Sequence, residues 1–75
     1  MNAAEILAAL GGRGNVVTVD SCITRLRVVV TDPDVVDEEA LVAAGAFGSA
    51  ITGHDVQVVV GPEADDVARE IDELP

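Results

Sequence analysis

The sequence predicts an α/β (α+β) sandwich: a four-stranded, mostly antiparallel sheet with three helices on one face, in the order αββαββα, forming one domain over residues 1–75. Two observations carry this. Short β-branched runs come in two pairs, each joined by a brief turn, and stretches with helical spacing stand before, between and after them. The apolar content is Val, Ala, Leu and Ile, with Phe47 the single aromatic residue. A core of small and β-branched side chains suits a sheet covered by helices.

Residues 3–10 read as a short amphipathic helix, with Ala3, Ile6, Leu7 and Leu10 on one face. Asn2 is placed to cap it, and Glu5 three residues on completes a capping-box pattern. Gly11 and Gly12 stop it. Asn15 to Asp20 is the first strand, carrying Val16, Val17 and Val19, with a break expected at Ser21-Cys22. Thr24 to Thr31 is the strongest strand, with Leu26, Val28 and Val30 on one face and Arg25, Arg27 and Val29 on the other. The short gap between them predicts a hairpin with Cys22 at or near its turn.

Asp32-Pro33-Asp34 is a turn signal. Asp37 to Ala44 reads as a helix capped by Asp37, with acids in its first turn and Gly45 as its stop. Ser49 to Thr52 and Val56 to Val60 are two further strands joined by Gly53-His54-Asp55. Gly61-Pro62 opens the last helix, whose apolar stripe is Ala64, Val67, Ala68, Ile71 and Leu74.

Size and charge exclude several classes of function. A chain of this length buries about 60% of its unfolded surface, which leaves no room for a deep substrate cavity. Fourteen carboxylates stand against four arginines, with no lysine. Such a surface repels nucleic acid and anionic membranes. No apolar run reaches the roughly 18 residues a spanning helix needs, and the N-terminus has no basic segment followed by an apolar stretch. One cysteine cannot form an internal disulfide. A soluble cytoplasmic monomer is expected, and the ends at Met1 and Pro75 fit a complete small protein.

Cys22 is the one residue with strong nucleophilic potential. A lone cysteine is often a small buried hydrophobe, but this one lies at a predicted turn, beside Arg25 and Arg27. A cation pair next to a thiol favours the thiolate. The same guanidiniums can bind phosphate bidentately, and successive backbone N–H groups in the turn can form an anion nest. The alternative for both arginines is a solvated strand face. His54 reads as an exposed turn residue, and one Cys with one His makes a protein-only metal site implausible. Gln57 is polar in an apolar strand, which an outward position also explains. Gly11-Gly12-Arg13-Gly14 lacks the spacing of a nucleotide loop.

Asp20-Ser21-Cys22-Ile23-Thr24-Arg25-Leu26-Arg27 closely resembles the phosphorylation signature of the glucose-type enzyme IIB domain of the bacterial sugar phosphotransferase system. The resemblance extends to Ile6-Leu7-Ala8-Ala9-Leu10-Gly11-Gly12, to Val36-Asp37-Glu38-Glu39-Ala40-Leu41 and to Val56-Gln57-Val58-Val59-Val60-Gly61-Pro62. It implies four antiparallel strands with three helices. It implies that Cys22 accepts a phosphoryl group from a phosphohistidine of enzyme IIA. The group then passes to a sugar of the glucose or N-acetylglucosamine class, held in the membrane enzyme IIC at the inner face of the cell membrane. It assigns Arg25 and Arg27 to the onward transfer, and Ile23, Thr24 and Gln57 to the phosphate surround. Asp20 falls at the family's acidic position, as an organiser of the turn or of an arginine. No cofactor and no metal are implied, since arginines and amide dipoles supply the positive field. Two departures are Gly53-His54-Asp55, where the family often has Asn-Gly, and the absence of lysine. A regulatory module that keeps the fold is a rival reading. A thiol redox protein is another, though no second cysteine is present to resolve an intermediate.

Overall fold

In the computed structural model, which describes residues 1–75, the first helix α1 spans Ala3–Ala9. Asn2 caps it by accepting from the Glu5 N–H at 3.1 Å. The reciprocal half of the capping box does not form, because the Asn2 N–H reaches across to the Ala44 carbonyl instead. Gly11 and Gly12 end the helix with φ of 104° and 85°, and the Gly12 N–H donates to the Leu7 carbonyl at 2.9 Å.

Strand β1 is Val16–Cys22 and β2 is Arg25–Val30, joined by the two-residue turn Ile23-Thr24. The break expected at Ser21-Cys22 is therefore absent. Both residues pair in the ladder, Ser21 with Leu26 and Cys22 with Arg25, so the strand runs on to the cysteine. The Asp32-Pro33-Asp34 signal forms a 3-10 turn at Pro33–Val35, capped by Asp32. Helix α2 is Glu38–Ala43, with the Asp37 carboxylate accepting from the Ala40 N–H at 3.0 Å. Strands β3 (Gly48–Thr52) and β4 (Asp55–Val59) follow, and their turn contracts to Gly53-His54 because Asp55 pairs with Thr52. Pro62 lies in a 3-10 turn at Gly61–Glu63, which leads into α3, Ala64–Glu73.

The strand order is β1-β2-β4-β3 and every pairing is antiparallel. The two hairpins meet at β2 and β4, with Arg25 opposite Val59 and Arg27 opposite Gln57. The three helices cover one face: α3 lies against β1 and β2, α2 against β3, and α1 against both helices. Leu26, Val28, Val30, Val56, Val58 and Val60 point from the sheet into a core shared with Ile6, Leu10, Leu41 and Ile71. Each such side chain contributes about 1.5–3 kcal/mol by leaving water, and this holds helices too short to be stable alone. Phe47, the single aromatic residue, stays outside the core at 77% exposure.

The other sheet face carries no helix. One irregularity decides what stands on it. The register slips between Val16, opposite Val30, and Thr18, opposite Val29. Val17 is the extra residue of a β-bulge and is 61% exposed. Val16 can therefore enter the core while Thr18, Asp20 and Cys22 share the open face.

Candidate functional site

Cys22 ends β1 on the open face of the sheet, and its thiol is exposed. Its ladder partner is Arg25, the first residue of β2. Residues paired directly across a ladder share a face. Arg25 stands between Cys22 and Val59, and Arg27 stands between Asp20 and Gln57. Cys22, Arg25, Arg27, Gln57 and Asp20 thus lie on one face, contributed by three neighbouring strands.

The turn after the cysteine is tight. Ile23 has φ of 47°, a left-handed conformation unusual for a β-branched residue, and its side chain is 85% exposed. The N–H groups of Ile23 and Thr24 donate to no acceptor within the protein. Two free donors therefore sit immediately beside the thiol. The Thr24 carbonyl points the other way and accepts from the N–H groups of Val60 and Gly61, both at 3.0 Å. Gly61 has φ of 81°, and a Cβ there would stand 3.3 Å from Cε2 of Phe47. A glycine therefore suits both the backbone conformation and the close contact.

The arginines are distributed unevenly. Arg13 donates from Nη2 to the carbonyls of Ile71 and Leu74, the latter at 2.7 Å, so it closes the end of α3. Arg69 pairs with Asp66 at 3.1 Å on the surface of α3. Arg25 and Arg27 have no carboxylate within salt-bridge distance. Arg25 instead donates from Nη1 to Oε1 of Gln57 at 3.0 Å. The helix layer carries most of the acids, while the open face presents two guanidiniums that form no ion pair, Arg25 next to the thiol and Arg27 opposite Asp20.

Asp20 is exposed and forms no side-chain hydrogen bond, so its only structural relation to an arginine is its place opposite Arg27. His54 is exposed in the second hairpin turn, with Nδ1 3.0 Å from the Val30 carbonyl. That turn lies at the end of the sheet away from Cys22. Two contacts were invisible to sequence reasoning. The Ser21 hydroxyl donates to the Asp65 carboxylate in the first turn of α3, and Gly61 supports Thr24 rather than only opening a helix. No local pattern announces either, since their partners lie 44 and 37 residues away (65 − 21 and 61 − 24). No helix is long and apolar enough to cross a membrane.

Planar guanidiniums and free backbone amides on the same side of a sheet as an exposed nucleophile are groups suited to a tetrahedral dianion. A comparison of the sequence with family models matches residues 4–37 to "phosphotransferase system, EIIB", a stretch that includes Cys22, Arg25 and Arg27. The chain is 49% identical over 72 residues to the N-acetylglucosamine-specific EIIB component of Streptomyces coelicolor, covering 96% of this chain and 94% of that one. It is 45% identical over 73 residues to the glucose-specific EIICBA component of Streptococcus pneumoniae. It is 39% identical over 70 residues to the glucoside-specific EIICBA component of Staphylococcus carnosus. The chain spans 10% of the length of each of these two larger proteins. Among solved structures, one domain of a IIabc component from Clostridium difficile matches with a TM-score of 0.70 and 21% identity, covering 97% of this chain and 84% of that one. That likeness bears on the fold, four antiparallel strands with three helices in the same order.

Proposed function

The chain belongs to the EIIB family of the phosphotransferase system, of the glucose and N-acetylglucosamine type, and from that premise we propose that residues 1–75 act as one phosphocarrier domain with Cys22 as the acceptor. The phosphoryl donor is a phosphohistidine of enzyme IIA. The final acceptor is a sugar of the glucose or N-acetylglucosamine class bound in the membrane enzyme IIC. That association places the domain at the inner face of the cell membrane.

The exposed Cys22 thiol, with two unpaired guanidiniums on the same sheet face, carries this reading. In the first step the Cys22 sulfur attacks phosphorus. An S–P bond forms, the N–P bond of the phosphohistidine breaks, and the thiol proton ends on the released imidazole. In the second step a sugar hydroxyl attacks the same phosphorus. An O–P bond forms, the S–P bond breaks, and the proton returns to sulfur. Such transfer needs positioning and charge stabilisation more than further covalent chemistry. Arg25 and Arg27 offset charge on the equatorial oxygens, and the N–H groups of Ile23 and Thr24 add two donors. Gln57 fixes the Arg25 guanidinium through a neutral contact that leaves its charge available to the group. Asp20, opposite Arg27, orients that arginine electrostatically. The thiol stands on an open face because two different proteins must each reach it in turn.

The test is to incubate the chain with a phosphorylated IIA protein and follow its mass. A gain of one phosphoryl group, abolished by Cys22→Ser, is expected. A label that survives that substitution overturns the assignment.

A further inference from the structure

Building on the reading of Cys22 above, we infer that Asp65 is a positioning residue for phosphoryl transfer, acting on the thiol turn through Ser21. The turn Ile23-Thr24 closes a hairpin whose first strand, β1, is an edge strand of the sheet. Cys22 therefore has a ladder partner on one side only, and nothing in the sheet restrains its outer flank. The restraint comes from the segment that leads into α3. Ser21, one residue before the thiol, donates its hydroxyl to Asp65. Thr24, two residues after it, accepts from Val60 and Gly61. A stretch of six residues, Val60–Asp65, thus grips the thiol turn from both sides.

The geometry also keeps the anchor's charge out of the way. Ser21 pairs with Leu26 on the helix side of the sheet, and Cys22 pairs with Arg25 on the open side. The Asp65 carboxylate can hold Ser21 without facing a phosphoryl group on Cys22. Asp66 is its neighbour in the same turn, but it is engaged with Arg69. The two acids would serve the helix dipole alike, yet only Asp65 reaches the hairpin. Transfer between docked partners depends on placing the nucleophile accurately, so a loosened turn slows it.

The test uses the full chain and the variants Asp65→Ala, Asp65→Asn, Ser21→Ala, the Ser21→Ala/Asp65→Ala pair, and Asp66→Ala as control. One readout needs no partner: backbone order parameters of Ile23 and Thr24 by nitrogen relaxation. The other is the rate of phosphoryl uptake from phosphorylated IIA. In Asp65→Ala and Ser21→Ala the order parameters should fall from about 0.85 toward about 0.6. Uptake should slow about tenfold in each, and the double variant should be no slower than either single one. Asp65→Asn retains an acceptor oxygen and should stay within about twofold of the parent. Asp66→Ala should match the parent in both readouts. Unchanged order parameters and rates in Asp65→Ala overturn the inference, as does strict additivity in the double variant. If the parent chain takes up no phosphoryl group, the carrier reading fails, and the relaxation data then decide the tether alone.

Discussion

The Arg25 guanidinium donates to the Gln57 side-chain carbonyl at 3.0 Å, diagonally across the two central strands. The partner is neutral, so the arginine is held in place with its charge intact. Gln57→Glu would keep a partner but neutralise the guanidinium. Gln57→Ala would free the arginine without cancelling its charge. Phosphoryl transfer through Cys22 should slow about tenfold in Gln57→Glu, and less in Gln57→Ala. Urea midpoints should barely move, because an exposed pair of this kind is worth about 0–1 kcal/mol. A Gln57→Glu protein as fast as the parent would remove Arg25 from the proposed chemistry.

Ile23 adopts a positive φ that asparagine tolerates better, and its exposed side chain buries little. Ile23→Asn should raise stability by about 0.5–1 kcal/mol. Gly61→Ala should do the reverse, costing about 1–2 kcal/mol for its backbone conformation, with added crowding against Phe47. Thermal unfolding of the pair checks both signs. A destabilised Ile23→Asn would mean that the isoleucine side chain makes a contribution the solvent-exposed turn does not reveal.

Arg13 closes the carboxyl end of α3 through the carbonyls of Ile71 and Leu74. Arg13→Ala should cost about 1 kcal/mol and fray the last turn of α3, seen as faster amide exchange there. Phosphoryl uptake should be unchanged wherever the variant is folded, since Arg13 lies outside the open face.

The chain carries a net charge of −10 and forms a single side-chain ion pair, Arg69 with Asp66. Self-repulsion among the carboxylates should dominate the salt response. The urea midpoint is expected to rise as sodium chloride goes from about 10 mM to about 0.5 M, where the screening length falls to a few ångströms. A midpoint that falls with salt would show that attractive pairs outweigh the repulsion.

Much of this was legible in the sequence because it is local. Helical and two-residue periodicities report which side chains can share a face, so all seven elements and the buried stripe of α3 follow from the residues themselves. The Cys22 neighbourhood was also legible, since the thiol and both arginines fall within six residues. Strand ends were less so. Ser21 and Cys22 carry no strand signal of their own beside the turn, and pairing with Leu26 and Arg25 extends β1 through them. Asn15 gives no local sign of being buried. Its amide nonetheless bridges the Leu10 and Asp32 carbonyls and the Asp32 N–H at 2.7–3.0 Å.

By itself, then, the sequence determined the order of elements, the apolar faces and the chemical identity of the nucleophile and its cations. Tertiary structure decided where they meet. Strict alternation along β1 would set Val16 on the same face as Cys22, and both could not then be placed well. The bulge at Val17 separates them, sending the valine into the core and the thiol to the open face. The β2–β4 pairing brings Gln57 to Arg25, and the return of α3 brings Asp65 to Ser21. Each of these contacts joins residues more than thirty positions apart. They form only when the whole core offsets the entropy of closing the intervening loops, and no local pattern encodes that balance.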